Sequence, residues 1–403
     1  MNKNRTLERV ALAVMLLIAV VARLIMIPEV TLSPDYNCYY LPWVNAYREY
    51  GILTGLGKNI GDYYVPYNIM YAICSLLPCE PYIPLAIFSF IAEIVSAVHI
   101  RKIVIFLLGE RGVLQEEAET KANFAAALSL LLPFVMFNGA LWKQCDAIYV
   151  VFIVIAIYYL LKDQYRAAFI FFAISFGFKL QAILFVPFFF MIYLVKKGFS
   201  ILEFAWIPVM YLIMGLPSVL CKKGIRDTYF AYMSQTQETT TEGYGMVSYY
   251  PNIYNFGLDN LDEYLKLPAI ALTAGILLGL VIYAYRKRDF LQQKENAIMF
   301  GLLMAWTCTM FLPGMHERYD YAIVLLMTAV CAFVKRELWP IVLVMNICSL
   351  LVYVIVLFGQ YSISMIPISL AEIAAYGYFV FYVFKAFAKN RGCRTKNDLG
   401  SVK

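Results

Sequence analysis

Apolar runs of about twenty residues recur along the whole chain, separated by short polar breaks. Val10–Ile27, Ile83–Leu108, Ile201–Leu220 and Leu338–Phe358 each approach the roughly 20 residues a helix needs to cross a hydrocarbon core. The same pattern predicts spans at about 10–27, 83–105, 122–141, 146–161, 165–178, 180–196, 201–220, 267–285, 296–313, 319–334, 338–358 and 363–386, about 12 transmembrane helices with a range of 11–13. Two of them are short and meet at Lys179, so that stretch is either two crossings or a broken, re-entrant pair. The first run follows Lys3, Arg5 and Arg9, has no small-residue cleavage site and continues to Pro28. It is therefore expected to be an uncleaved span. The expected fold class is an all-α polytopic membrane protein with a single integral-membrane domain over 1–403.

Two long stretches do not span. The first external loop, 28–82, holds "LPWVNAYREYGILTGLG" and "YYVPYNIMYAICSLLP", with aromatic and aliphatic residues at helical spacing but too short to cross. They are predicted to be amphipathic juxtamembrane helices. The second, 221–266, is polar and rich in Tyr and Thr, a loop able to cover a site.

Composition sharpens this picture. Hydrophobic residues make up 62% and charged residues 15%, against roughly 25% charged in soluble domains, so no separate soluble domain is expected. A net charge of +6 would suggest an acidic partner in a soluble protein. Here topology explains it. With a cytoplasmic N-terminus, about 23 of the 33 Lys and Arg fall in inside loops or in the basic tail 387–403 and the turn just before it, as the positive-inside rule requires. Both termini are then cytoplasmic, and nucleic acid is not a partner. The nine cysteines form no CxxC pair and no His/Cys metal spacing, so no structural metal is expected.

That topology collects an unusual polar set at the outer boundary: Asp35, Asp62, Trp142, Lys143, Gln144, Asp146, Lys179, Gln181, His316, Glu317, Arg318 and Asp320. Taken singly, each has an ordinary explanation. Asp35, Asp62 and Asp146 stand where helix caps stand, Lys179 can snorkel to headgroups, and Arg318 can pair with Glu317 or Asp320. Charges at membrane depth nevertheless cost several kcal/mol unless paired or hydrated, and they usually line a cavity. All of them meeting on one side points to chemistry on an anionic lipid. Arg318 and Lys179 suit a lipid phosphate, one as a planar fork and the other as a point charge. A hydroxyl acceptor needs a carboxylate base, and Asp35, at the start of the external loop, is the candidate. A transporter or lipid flippase would also have many spans, but with symmetric halves and midplane charges. A polysaccharide polymerase or ligase using a lipid-linked oligosaccharide is not distinguished by charge alone.

Five segments in order, "SPDYNCYYLPW", "GDYYVPYNIMY", "NGALWKQCDAIY", "GFKLQAILFVP" and "LPGMHERYDY", resemble the GT-C superfamily of integral-membrane glycosyltransferases. Within it they resemble bacterial relatives of the second GPI mannosyltransferase and of the dolichyl-phosphate-glucose-dependent glucosyltransferases. The resemblance implies a GT-C architecture and an inverting hexosyltransferase (EC 2.4) of the cell envelope, mannose-type, acting on a polyprenyl-phosphate-linked donor and a glycan, glycolipid or protein acceptor. By position, it implies Asp35 as general base, Asp146 near donor sugar or acceptor, and His316 and Arg318 near the donor phosphate. Lys143 stands where the family often has glycine, and "GDYYVPY" has one proline where relatives often have two, which leaves the role of Asp62 open. Asp35 has no adjacent second carboxylate, so no metal or other cofactor is expected. The expected setting is a bacterial plasma membrane, with the chain as a monomer among membrane lipids.

Overall fold

The computed structural model describes residues 3–196, 198–233 and 245–398; part of the 221–266 loop and the end of the 387–403 tail lie outside these. The main helices are α1 (Lys3–Met26), α2 (Leu41–Tyr50), α3 (Val65–Leu76), α4 (Tyr82–Glu110), α5 (Gln115–Leu131) and α6 (Asp146–Leu161). They continue with α7 (Tyr165–Phe178), α8 (Val186–Val195), α9 (Trp206–Leu220), α10 (Asp262–Arg286), α11 (Lys294–Phe311), α12 (Tyr321–Phe333), α13 (Trp339–Leu357) and α14 (Met365–Asp398). Among the described residues the only β structure is one short parallel pair and an isolated bridge beside it. The chain is an all-α polytopic membrane protein.

Among the described residues six helices are long and apolar enough to cross a membrane alone, and the pair Gln115–Leu131 and Pro133–Leu141, bent by 51°, is apolar enough when taken together, as a broken span or a re-entrant loop. Pro133 explains the bend, because the residue before a proline is driven out of the helical region and Leu132 is extended. The twelve expected spans include α6, α7, α8 and α12, which are shorter apolar helices of 10–17 residues. These pack inside the bundle with α11, which is buried continuously from Ala297 to Met310. Helices apolar on every side are core helices, and the longer ones around them present exposed Leu, Ile and Val to the surroundings.

Ion pairs define the two ends of the bundle. At one end Arg5 pairs with Glu116, Arg111 and Lys335 with Glu295, Lys294 with Asp163, and Arg166 with Glu203. Lys196 donates to the Gln292 carbonyl across 2.7 Å. These contacts gather the starts of α1, α5, α7, α9 and α11 with the ends of α4, α6, α8 and α12. Lys179, at the turn from α7 toward α8, lies at the opposite end, bonded to Asp146 at the start of α6. The stretch around Lys179 is thus two antiparallel helices that run between the two ends of the bundle.

The two stretches of 28–82 expected to be helical are helices, α2 and α3. Among its described residues, the second long loop is clipped down from residue 245 onward. Val247–Ser248 pairs in parallel with Met315–His316, and Gly314 N–H donates to the Met246 carbonyl across 2.8 Å. The Asp259 carboxylate accepts from Met246 and Val247 N–H at 2.9 and 3.0 Å. Tyr250 bonds Thr309 at 2.9 Å and Tyr254 bonds the Phe311 carbonyl at 2.5 Å. The loop covers the mouth of α11 and α12.

Candidate active site

The site is built on four residues, Trp142 to Cys145, between a π-helical turn (Phe137–Leu141) and α6. A buried turn leaves carbonyls that the bundle must satisfy, and side chains from three other segments do so. Ser33 donates to the Trp142 carbonyl, Ser89 to that of Gln144 across 2.9 Å, and Tyr67 to that of Cys145 across 2.8 Å. Lys143, in a left-handed conformation, turns its ammonium to the carbonyls of Leu141 at 2.9 Å and Glu29 at 3.0 Å. It thereby ties the end of α1 to the loop and lies apart from the other cations of the site. Burial lowers its ammonium to about 8, against the pull of Glu29.

Asp146 is fully buried and meets three side chains, two of which donate to it and one of which pairs with it by charge. Lys179 Nζ pairs with Oδ1, Asn138 donates to Oδ2 across 2.8 Å, and Arg318 Nε lies 3.5 Å from Oδ2. The helix-cap explanation for Asp146 and the snorkelling explanation for Lys179 both give way to this buried cluster. Arg318 also pairs with Glu317, and its guanidinium carbon lies 5.1 Å from the centre of the Trp142 ring. His316 Nδ1 stands 3.7 Å from Glu317 Oε2. Burial works against the Glu317 charge, but Arg318 and then His316 hold its carboxyl down at about 2.

Asp35 follows the buried Ser33 and precedes a π-helical turn, Tyr36–Tyr40. Gln144 Nε2 donates to Asp35 Oδ2. Burial raises the Asp35 carboxyl above its ordinary value; Arg318 opposes this most, Glu317 adds to it, and Lys179 and Gln144 oppose it less. The structure therefore brings Asp35, Gln144, Asp146, Lys179, Glu317, Arg318 and Trp142 together, with His316 at the edge. Gln181 is half-buried beside the Tyr319 hydroxyl, and Asp62 is exposed on the loop before α3.

Sequence reasoning missed three supports. Asn138 bridges Asp146 and the Tyr353 hydroxyl, 3.0 Å away, and Tyr63 lies 5.8 Å from Lys179 Nζ. Below the loop, Arg23 and Glu93 form a buried pair at 2.7 Å, one turn along α4 from Ser89. Arg23 was visible as a charge inside an apolar run; Asn138 and Tyr63 carried no separate signal among so many polar and aromatic residues.

Chemically, the arrangement offers a desolvated carboxylate within reach of two fixed cations, at one end of a membrane bundle. That is the equipment of a membrane-embedded group-transfer enzyme. The sequence model of glycosyltransferase family 87 matches residues 69–313, more than half of the chain, and the chain belongs to that family. The GT-C-type resemblance is consistent with this membership. The match does not extend to a particular kinship with the second GPI mannosyltransferase, and Asp35, His316 and Arg318 lie outside the matched residues. No curated protein matches the chain.

Proposed function

We propose that the chain transfers a mannose-type hexose from a polyprenyl-phosphate donor to a hydroxyl acceptor at the extracytoplasmic face of the membrane. The observation that carries this reading is the division of charge at the site. Asp35 is one raised carboxyl, held by Gln144, while Lys179 and Arg318 stand on either side of Asp146. A lipid phosphate seated on these cations, with His316 at its edge, leaves its sugar toward Asp35. The acceptor O–H proton passes to Asp35, the acceptor oxygen bonds to the anomeric carbon from the far side, and the C–O bond to phosphate breaks. The electron pair leaves with polyprenyl phosphate, whose developing charge the cations stabilise, and the configuration inverts.

The sidedness rests on the other end of the bundle. Its Lys- and Arg-rich turns fit a cytoplasmic face, which supports a reading with both termini inside and the site outside, and we take the membrane to be a bacterial plasma membrane. Asp146 and Glu317 already hold cationic side chains, leaving Asp35 without a second carboxylate for a divalent ion. We therefore expect turnover as a monomer and without metal.

The test uses purified protein in proteoliposomes with labelled polyprenyl-phosphate hexoses and a membrane lipid extract. Label moving to a new product with release of polyprenyl phosphate, lost in Asp35→Asn and unaffected by chelator, supports the reading. Wild-type protein that moves intact lipid across the bilayer without cleaving it overturns it in favour of a transporter. Rates abolished by chelator and restored by magnesium or manganese overturn the metal-free mechanism alone.

A further inference from the structure

One ring at the site is engaged by neither the base nor the phosphate cations' ion pairs. Tyr63 is half-buried on the loop between α2 and α3. Its centre lies 5.8 Å from Lys179 Nζ, and its hydroxyl is within electrostatic reach of both Arg318 and Asp146. It therefore stands beside the place the donor phosphate takes.

Tyr63 is also locked in position. Its ring packs on Tyr67 at 5.0 Å, on Trp43 edge-on at 5.8 Å and on Tyr40 at 6.4 Å, and the two hydroxyls of Tyr40 and Tyr63 meet at 3.3 Å. Asn68 donates to its carbonyl across 3.0 Å. Gly61, in the left-handed region, lets Trp43 close over the loop, since a Cβ there would meet the indole at 2.8 Å. Trp43 and Tyr71 in turn pack at 5.4 Å. A ring packed on several aromatic neighbours and partly buried is held in place.

Pyranose rings carry C–H groups on their faces, and an aromatic face, negative at its centre, attracts them in offset packing. A sugar bonded directly to a phosphate held by Lys179 and Arg318 is confined to the immediate neighbourhood of those cations, and Tyr63 is a rigid aromatic face there. We infer that Tyr63 is the stacking platform for the donor's sugar ring, so that this part of the site reads the hexose and the cations read the phosphate. The inference rests on the donor reading above.

The two roles separate in binding. Full-length protein is reconstituted and titrated with polyprenyl-phosphate hexose and, separately, with bare polyprenyl phosphate. Tyr63→Leu, which keeps bulk without a ring, should weaken the sugar-bearing lipid about fivefold, the size of one aromatic contact, and leave the bare lipid unchanged. Tyr63→Phe should keep both affinities. A fluorine resonance from 3-fluorotyrosine at position 63 should shift with the sugar-bearing lipid and hold still with the bare one, a readout that does not depend on a truncated side chain folding well. If Tyr63→Leu weakens both lipids equally or neither, or if the fluorine signal answers both alike, the platform is wrong while the phosphate site stands. Wild-type protein that binds neither lipid overturns the donor reading and the platform with it.

Discussion

Gln144 donates its side-chain amide to Oδ2 of Asp35 across 109 positions of sequence. The contact is buried on the Gln144 side and lowers the Asp35 carboxyl against the rise that burial causes. In a base mechanism Asp35 must be ionised, so the rate falls as pH falls through its pKa, which lies above the ordinary aspartate value. Gln144→Leu removes a donor and should raise that carboxyl further. The acidic limb of kcat/KM should then move to higher pH, with kcat down about tenfold, the value of one hydrogen bond to a charged group. A pH–rate profile checks this; a limb that stays in place means that another group titrates.

Asp146 is the shared counter-charge of Lys179 and Arg318, and all three are largely buried. Removing one partner of a buried ion cluster leaves charge uncompensated, at roughly 3–5 kcal/mol. Asp146→Asn keeps shape and hydrogen bonding but not charge. It should lower the thermal unfolding midpoint in detergent far more than Asp62→Asn, because Asp62 is exposed. Equal midpoints for the two variants would mean that the cations are neutralised elsewhere.

Much of this was legible in the sequence because bilayer physics is written in hydropathy. Runs such as Val10–Ile27 and Ile83–Leu108 mark helices without reference to tertiary context, and Asp35, Lys179 and Arg318 stand out against apolar surroundings. What could not be read was partnership. Lys143 and Lys179 look alike in sequence, yet a left-handed backbone sends Lys143 to the carbonyls of Leu141 and Glu29 while Lys179 meets Asp146. Short buried helices such as α8 were also hard to distinguish from broken ones, because length alone does not say what an apolar segment packs against. Tyr63 was hidden for the opposite reason: among 32 tyrosines, only its neighbours distinguish it.

Gly139 tests how firmly the loop rests on the bundle. A Cβ there would meet Glu93 Oε1 at 2.5 Å and Ser89 Cβ at 2.9 Å, and Ser89 is the residue that holds the Gln144 carbonyl. Gly139→Ala must push Glu93 from Arg23 or lift the loop, an overpacking cost of about 1–3 kcal/mol. Thermal stability should fall and kcat should fall with it, while Gly109→Ala, where the Cβ enters open space, should be neutral. A fully active, stable Gly139→Ala protein would show that Glu93 yields freely and that the loop does not depend on it.

Glu317 and Asp320 lie three positions apart and titrate in opposite senses. Arg318 and His316 outweigh burial at Glu317 and hold it at about 2, below its ordinary 4.5. Its contribution to stability is therefore complete above 4.5 and is lost as pH falls toward 2. Asp320 is buried, and burial, with Glu317 adding to it, raises its carboxyl to about 7 from 3.8, although its own backbone N–H opposes the rise. The folded state thus binds a proton at Asp320 that the unfolded state has released, and the contribution present below 3.8 is lost as pH rises to 7. Between pH 5 and 8 Glu317 is silent and Asp320 is not. Asp320→Asn, which resembles the protonated acid, should flatten this part of the stability profile and gain up to about 4 kcal/mol at pH 8. Unfolding midpoints of the two proteins across that range measure the difference directly. Parallel curves would mean that Asp320 is ionised throughout and has found a partner for its charge.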